Sequence, residues 1–262
     1  MSVHLDALAD EVFAAADAQA RSVARVERLP FGEIWRSPGY PDLFFLNGIN
    51  QLVAPGWTVE NLERAIAEHL SGIRQLRVTS RDRETVARLG PRLLQAGYRA
   101  ECLLAMVQVA PGERAEKGDL KIRPVQSQDD WRAFEALIRQ DTDEHGWSSS
   151  MTEQLLRLCR QQEGNESQVW LLGSFRGKAV ARLGLYQHAR TGYLHAIYTR
   201  PGERRRGAGS ALTEAASRHA VAAGCERVTL DCTRDSFLPA FYHELGFRAV
   251  GEIWIWTRPT GP

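Results

Sequence analysis

Lysine is nearly absent from this chain: Lys117, Lys121 and Lys178 are the only ones among 33 basic residues, and arginine supplies the rest. Against 32 acidic residues the net charge is +1, so no global excess of charge draws the chain to nucleic acid or to an anionic membrane. Cysteine is scarce too. Cys102, Cys159, Cys225 and Cys232 form no Cys-x-x-Cys pair and stand at no ligand spacing with histidine, so neither a zinc ribbon nor a disulfide framework is indicated. No run approaches the roughly 20 apolar residues a membrane-spanning helix needs. The opening segment carries Asp6, Asp10 and Glu11 where a secretory leader has a basic start and an apolar run. The expectation is a reduced, cytoplasmic protein with neither nucleic-acid nor membrane partners. Its 262 residues, 44% hydrophobic and 25% charged, suffice for two domains of roughly 100–150 residues each.

The clearest interruption is the polar stretch Ala110-Pro-Gly-Glu-Arg-Ala-Glu-Lys-Gly-Asp119, which has no helical or strand period and reads as a linker between 1–109 and 120–262. Upstream, 103–109 reads as a strand. Downstream, strands are predicted near 120–124, 168–175, 179–186, 193–199, 228–232 and 249–256, with a tight turn at Arg176-Gly-Lys178. Helices are predicted to start near Asp129 or Asp130, at Ser149 or Ser150, and to span about 207–223 and 239–245. The 207–223 helix carries Leu212, Ala215, Ala216 and Ala220 on one face, and Gly224 suits the position just past its end. Antiparallel strands leading into a strand–helix–strand unit indicate a mixed α/β sheet.

The segment richest in chemistry is Ile197-Tyr-Thr-Arg-Pro-Gly-Glu-Arg-Arg-Arg-Gly-Ala-Gly-Ser210. A strand ends at Thr199, a basic loop follows, and Gly207-Ala208-Gly209 opens a helix. Small residues there let the backbone approach a ligand, and the free N–H groups of the first helical turn suit a phosphate or pyrophosphate. Arg204, Arg205 and Arg206 add positive charge. The stretch is not a P-loop, since no Gly-Lys-Ser/Thr follows, nor a G-x-G-x-x-G turn, since position 212 is Leu.

Arg204-x-x-Gly207-x-Gly209 followed by Ala211-Leu212 resembles the acyl-CoA signature Arg/Gln-x-x-Gly-x-Gly/Ala of the GNAT superfamily of N-acetyltransferases. Phe241-Tyr242-His-Glu-Leu245-Gly246-Phe247 is similar to the family's Leu-Tyr-x-x-Leu-Gly-Phe, and the element order from Leu120 onward is the family's order. The resemblance implies acetyl-CoA as co-substrate. The backbone of Ile197, Tyr198 and Thr199 would hold the pantetheine arm. The amides from about Arg205 to Ser210, Ala208 included, would hold the pyrophosphate, and a bulge near Ala196 would splay the sheet. It also implies Tyr242 as the acid that protonates the departing thiolate. Tyr193 stands where many members carry a glutamate. Tyr193-Leu-His195-Ala resembles a His-Leu-His-Ala strand in which two histidines relay protons, so that His195 is the candidate base and the first histidine is replaced. Asp141, Asp143, Glu144 and His145 form an acidic corner, either solvated or facing a cationic amine, and Asp231 and Asp235 are secondary polar candidates.

Residues 1–109 hold a gapped echo of the second half. Ala54-Pro-Gly56 parallels Arg200-Pro-Gly202, Arg77-Val-Thr79 parallels Arg227-Val-Thr229, and Gln95-Ala-Gly97-Tyr98 parallels Glu244-Leu-Gly246-Phe247. Between them a helix from about Thr58 carries Leu62, Ala65, Ile66 and Leu70. The echo lacks a Gly-x-Gly opening, places Glu60 and Glu63 at its helix start, and has Leu93 in the place of Tyr242. It resembles the degenerate half of tandem GNAT proteins. The expectation is one cofactor site per chain and transfer of an acetyl group to the primary amine of a small molecule, by a monomer or homodimer. The alternatives are a non-catalytic acyl-CoA-binding regulator, or acylation of a protein amino group.

Overall fold

The structure, a computed structural model, describes residues 2–70, 72–73, 75–109 and 120–259. The predicted linker at 110–119 lies outside the described residues. The chain divides into two compact units: a smaller one of residues 17–104, 232–236 and 251–262, and a larger one of residues 1–16, 105–231 and 237–250.

The first helix, α1 (Ser2–Arg21), begins in the larger unit and ends in the smaller. Its alanine-rich sequence favours a helix, and Ala9, Val12, Phe13 and Ala20 recur at three, four and eleven residues on a buried stripe. The smaller unit continues with β1 (Arg25–Leu29), β2 (Gly32–Arg36), β3 (Gly48–Asn50), α2 (Val59–His69), β4 (Gln75–Ser80), α3 (Arg83–Gln95) and the start of β5 (Arg99–Val109). β1, β2 and β3 pair antiparallel in turn, and β3 runs parallel to β4. Residues 254–259 of the last strand, β11 (Arg248–Pro259), close the other edge of β4 in antiparallel register. Ile34, Ile49, Leu62, Ile66, Leu76, Leu89 and Trp256 form the core.

The larger unit is built from β6 (Leu120–Pro124), α4 (Gln128–Glu144), α5 (Ser149–Gln161), β7 (Gln168–Phe175), β8 (Lys178–His188), β9 (Thr191–Thr199), α6 (Ala208–Ala222), β10 (Arg227–Thr233) and α7 (Leu238–Glu244). Its strands lie in the order β10-β9-β8-β7-β6, antiparallel except for the β9–β10 pair. The β7–β8 turn has Arg176 at φ 48° and Gly177 at φ 80°, the two positive angles a two-residue hairpin requires. Trp131, Phe134, Leu137 and Ile138 of α4 and Leu156 and Cys159 of α5 pack on Trp170, Leu172 and Tyr198 of the sheet.

Helix starts differ from the sequence reading by one or two residues, for a clear reason. Ser127 rather than Asp129 or Asp130 caps α4; Asp130, three residues on, reaches back to complete a capping box, and Arg123 binds the same carboxylate. Burial works against that carboxylate's charge, but the hydrogen bonds from Ser127 and Arg123 outweigh it and hold Asp130 down to about 2. Ser148 caps α5 by the same use of its hydroxyl. On α6 the buried face includes Thr213 and Ser217 alongside Leu212, Ala216 and Ala220, while Ala215 is only half-buried.

Both halves share one backbone plan. The order β3–α2–β4–α3–β5 repeats as β9–α6–β10–α7–β11, and each has a parallel strand pair at its centre. α3 and α7 end alike: Gly97 at φ 85° and Gly246 at φ 87° turn the chain, and the next amide, Tyr98 or Phe247, donates to Leu93 or Tyr242 at 3.0 Å. Leu93 is thus the structural counterpart of Tyr242. β3 is followed directly by Gln51 at φ 55°, as β9 contains Ala196 at φ 51°.

Candidate active site

β9 starts as an ordinary strand and then breaks register. Gly184 of β8 faces His195, but Arg182 faces Tyr198, so Ala196 and Ile197 together oppose the single residue Leu183. The extra residue is Ala196. It shifts the alternation of faces. Tyr193 and His195 stack at 5.7 Å, and Tyr198, rather than Ile197, is the next β9 side chain to join the aromatic core under α4 and α5. On the other edge of β9 the parallel pairing with β10 covers only Thr191–Tyr193 against Arg227–Thr229, although β9 runs on to Thr199. The two strands part beyond that point, as a sheet must if a ligand is to enter between them.

After β9, a short 3-10 turn at Pro201–Glu203 leads to α6. Arg205 at φ 63° and Gly207 at φ 83° put two left-handed residues into the approach, a backbone pattern that turns successive N–H groups toward one side. Gly207 occupies the cap position of α6 without a side-chain hydrogen bond, and the first helical bond is Ala211 to Gly207. The amides from Arg205 to Ser210 therefore make no backbone hydrogen bond among the described residues. In the smaller unit the same helix end is closed, because Thr58 and Asn61 cap each other's backbone amides. That difference leaves one open cradle in the two-fold plan.

The three arginines are not equivalent. Arg204 donates to the Thr199 carbonyl and forks onto both carboxylate oxygens of Glu144 at 2.6 and 2.7 Å. The Arg204 hydrogen bond, above all, holds Glu144 below its ordinary value. Arg206 pairs with Glu203 and lies over the Phe175 ring. Arg205 is exposed and makes no ion pair among the described residues. Ala208 is buried, and Gly209 and Ser210 are half-buried. A Cβ on Gly209 would sit 3.6 Å from both Phe241 and Thr199 Oγ1, so the first turn of α6 lies against α7 and the end of β9.

Tyr242 follows Phe241 on α7 and is 4% exposed, packed edge-on against Phe247. The amide of Gln108 donates to the Leu245 carbonyl at 2.5 Å and holds the end of α7. His195 lies on the α4 and α5 side of β9, where Trp170 meets it edge-on at 5.1 Å. Burial, followed by the charge of Arg182, pushes the imidazole down to about 3 and keeps it neutral. The Gln168 amide group donates to the Val169 carbonyl, which turns its oxygen toward His195 Nε2 at 3.1 Å. Nε2 then carries the proton, and the lone pair is on Nδ1. Tyr193 donates to Asp231 at 2.6 Å. Asp141, read as part of an acidic corner, sits within α4 and is bound by Arg182, a buried cation at 2% exposure.

Arg182, Gln168 and Gly184 did not emerge from sequence reasoning. Only Arg182 left a trace, as the one charge inside the apolar run Ala179-Val-Ala-Arg-Leu-Gly-Leu185. Among the described residues no group of three or more His, Cys, Asp or Glu could hold a metal ion, and no helix is long and apolar enough to cross a membrane.

Residues 130–247 match the acetyltransferase (GNAT) family. No curated protein matches the chain by sequence. Solved structures of similar fold include a GCN5-related N-acetyltransferase from Kribbella flavida, 14% identical, with a TM-score of 0.65 over 97% of this chain and 96% of that one. A functionally unknown conserved protein from Staphylococcus epidermidis is 13% identical, with a TM-score of 0.73 over 91% of this chain and 95% of that one. A tandem GNAT protein from the clavulanic acid biosynthesis pathway is 14% identical, with a TM-score of 0.58 over 92% of this chain and 80% of that one. At such identities the likeness is one of fold, and the fold is a mixed α/β GNAT architecture repeated in tandem. The chain carries, over residues 130–247, an acyltransferase domain of the acetyltransferase (GNAT) family.

Proposed function

We propose that this protein is an acetyl-CoA-dependent N-acetyltransferase with one active site, in segment 120–262, acting on the primary amine of a small molecule. The observation that carries the reading is the conjunction of a parted strand pair with an open amide cradle a few residues on: β9 leaves β10 after Tyr193, and the amides of Arg205–Ser210 have no backbone partner among the described residues. The smaller unit has its cradle closed by Thr58 and Asn61, which leaves one site per chain in this reading. No disulfide joins the four cysteines among the described residues, and all four are buried.

In this reading the pyrophosphate sits on the amides of Arg205–Ser210 at the positive end of α6, with Arg205 and Arg206 beside it. The pantetheine arm pairs with the backbone of Ile197, Tyr198 and Thr199, which brings the thioester to the bulge. There a backbone N–H of β9 polarises the carbonyl as the amine attacks and negative charge grows on oxygen. Tyr242 gives its proton to the sulfur as the carbon–sulfur bond breaks. His195 Nδ1 is the acceptor for the ammonium proton. Burial, and then the charge of Arg182, hold the resting imidazole neutral but make it a weak base, so the proton passes on to solvent rather than staying on the ring.

The reading is tested by measuring thiol release from acetyl-CoA against a panel of amines, antibiotics, amino acids and peptides. Release with a small amine supports it. Binding of acetyl-CoA with no release for any member would instead favour a non-catalytic acyl-CoA-binding role, and release with peptides alone would favour a protein amino group as acceptor.

A further inference from the structure

Arg182 lies in the middle of β8, 2% exposed, and spends its guanidinium on the two flanks of one feature. Nη1 donates to the Ala196 carbonyl at 2.7 Å, and Nη2 binds Asp141 of α4. The rings of Phe134 and Tyr198 stand 5.7 and 5.8 Å from its charged carbon. A cation buried this deeply is costly unless it is paired, and its partners here are a carboxylate and the carbonyl of the one left-handed residue in β9. An apolar side chain would pack the same space without that cost, so packing alone does not account for it.

We propose that the Arg182–Asp141 pair is a positioning device for the reacting thioester: it locks the bulge and aims the Ile197 N–H. The inference rests on the acyl-CoA reading of the site. A trans peptide sets its carbonyl and its N–H in opposite directions, so fixing the Ala196 oxygen on the guanidinium turns the Ile197 N–H away from it. A charge-assisted hydrogen bond to the carbonyl also polarises the shared peptide and makes that N–H a stronger donor. Arg182 touches no substrate. It acts through the Ala196–Ile197 peptide, and Asp141 holds the guanidinium against it.

The test needs no acceptor. Acetyl-CoA labelled with carbon-13 at the thioester carbonyl is bound to the protein, and its carbonyl stretch is followed by difference infrared spectroscopy. CoA affinity and the melting temperature are measured alongside. In the unmodified protein the stretch is expected to fall below its frequency in water. In Arg182→Met/Asp141→Leu, which removes the pair without leaving a lone buried charge, that shift is expected to vanish while CoA affinity stays within about threefold. Arg182→Lys, which keeps the charge but not the two-pronged geometry, is expected to give an intermediate shift. A full shift in the double variant overturns the proposal, and so does loss of CoA affinity in step with the shift, which would mark the pair as general scaffold. If the double variant does not fold, Asp141→Asn carries the same readout, with a reduced shift expected and an unchanged one contradicting. Failure of the unmodified protein to bind CoA at all would sink the acyl-CoA reading itself, a result separate from these.

Discussion

Gly184 and His195 face each other across the β8–β9 ladder, and the imidazole fills the space a side chain at 184 would need: a Cβ there would stand 2.5 Å from His195 Nε2 and 2.6 Å from Trp170. The missing side chain is what lets the ring lie down over β8, held by Gln168 and shielded by Trp170. The protein has thus made room for a histidine it keeps neutral.

That neutrality sets a pH dependence. His195 is pushed down to about 3 in the folded protein, mainly by burial and then by Arg182, whereas an unfolded histidine titrates near about 6.5. Between these values the unfolded chain takes up a proton that the folded one does not. The contribution is therefore fully present above the unfolded value and is lost as pH falls toward 3. Urea unfolding at pH 7 and pH 5 should show a fall in stability about 1–2 kcal/mol larger in the unmodified protein than in His195→Gln. Equal falls would mean that the ring is protonated or exposed.

Tyr242→Phe removes a hydroxyl and leaves the packing against Phe241 and Phe247. If the hydroxyl supplies the thiolate's proton, kcat should drop about 100-fold or more while CoA affinity is kept. Steady-state turnover with calorimetric CoA binding checks this, and unchanged kcat would remove Tyr242 from the chemistry.

Glu144 occupies Arg204, the first residue of the proposed acyl-CoA cradle. A pyrophosphate in the cradle competes for that guanidinium. Glu144→Gln should therefore tighten CoA binding modestly, about two- to fivefold, since an exposed ion pair is worth little. The gain should shrink in high salt. Weaker CoA binding in this variant would show that Glu144 presents Arg204 to the ligand and does not restrain it.

The parts of the fold written in local chemistry were legible. The glycines at 177, 207, 224 and 246 take the positive angles their turns require, and the apolar periods of α4, α5 and α6 mark their buried faces. The duplication could be read from Gly97 and Gly246 because a left-handed helix exit constrains sequence as well as backbone. What was not legible depends on partners far along the chain. α1 has a helical composition, but nothing in its own sequence says that Glu11 will meet Arg227. Gly184 and Gln168 mean little until the ladder sets them beside His195. The acidic corner also changed meaning in three dimensions. Asp141 and Glu144, which in the sequence read as solvated or facing a cationic amine, are bound to Arg182 and Arg204.

The central claim is that the turn from Arg204 to Ser210 holds acyl-CoA, and Gly209 tests it most directly. A Cβ at this position meets Phe241 and Thr199 only at ordinary contact distance, so Gly209→Asp adds a negative charge to the cradle with little steric cost to the protein alone. Melting temperatures are measured with and without saturating acetyl-CoA. The unmodified protein should gain stability, about 2.7 kcal/mol at a ligand concentration 100 times Kd. Gly209→Asp should melt near the unmodified protein without ligand and show no gain with it. No shift in the unmodified protein, or an equal shift in the variant, would contradict the account.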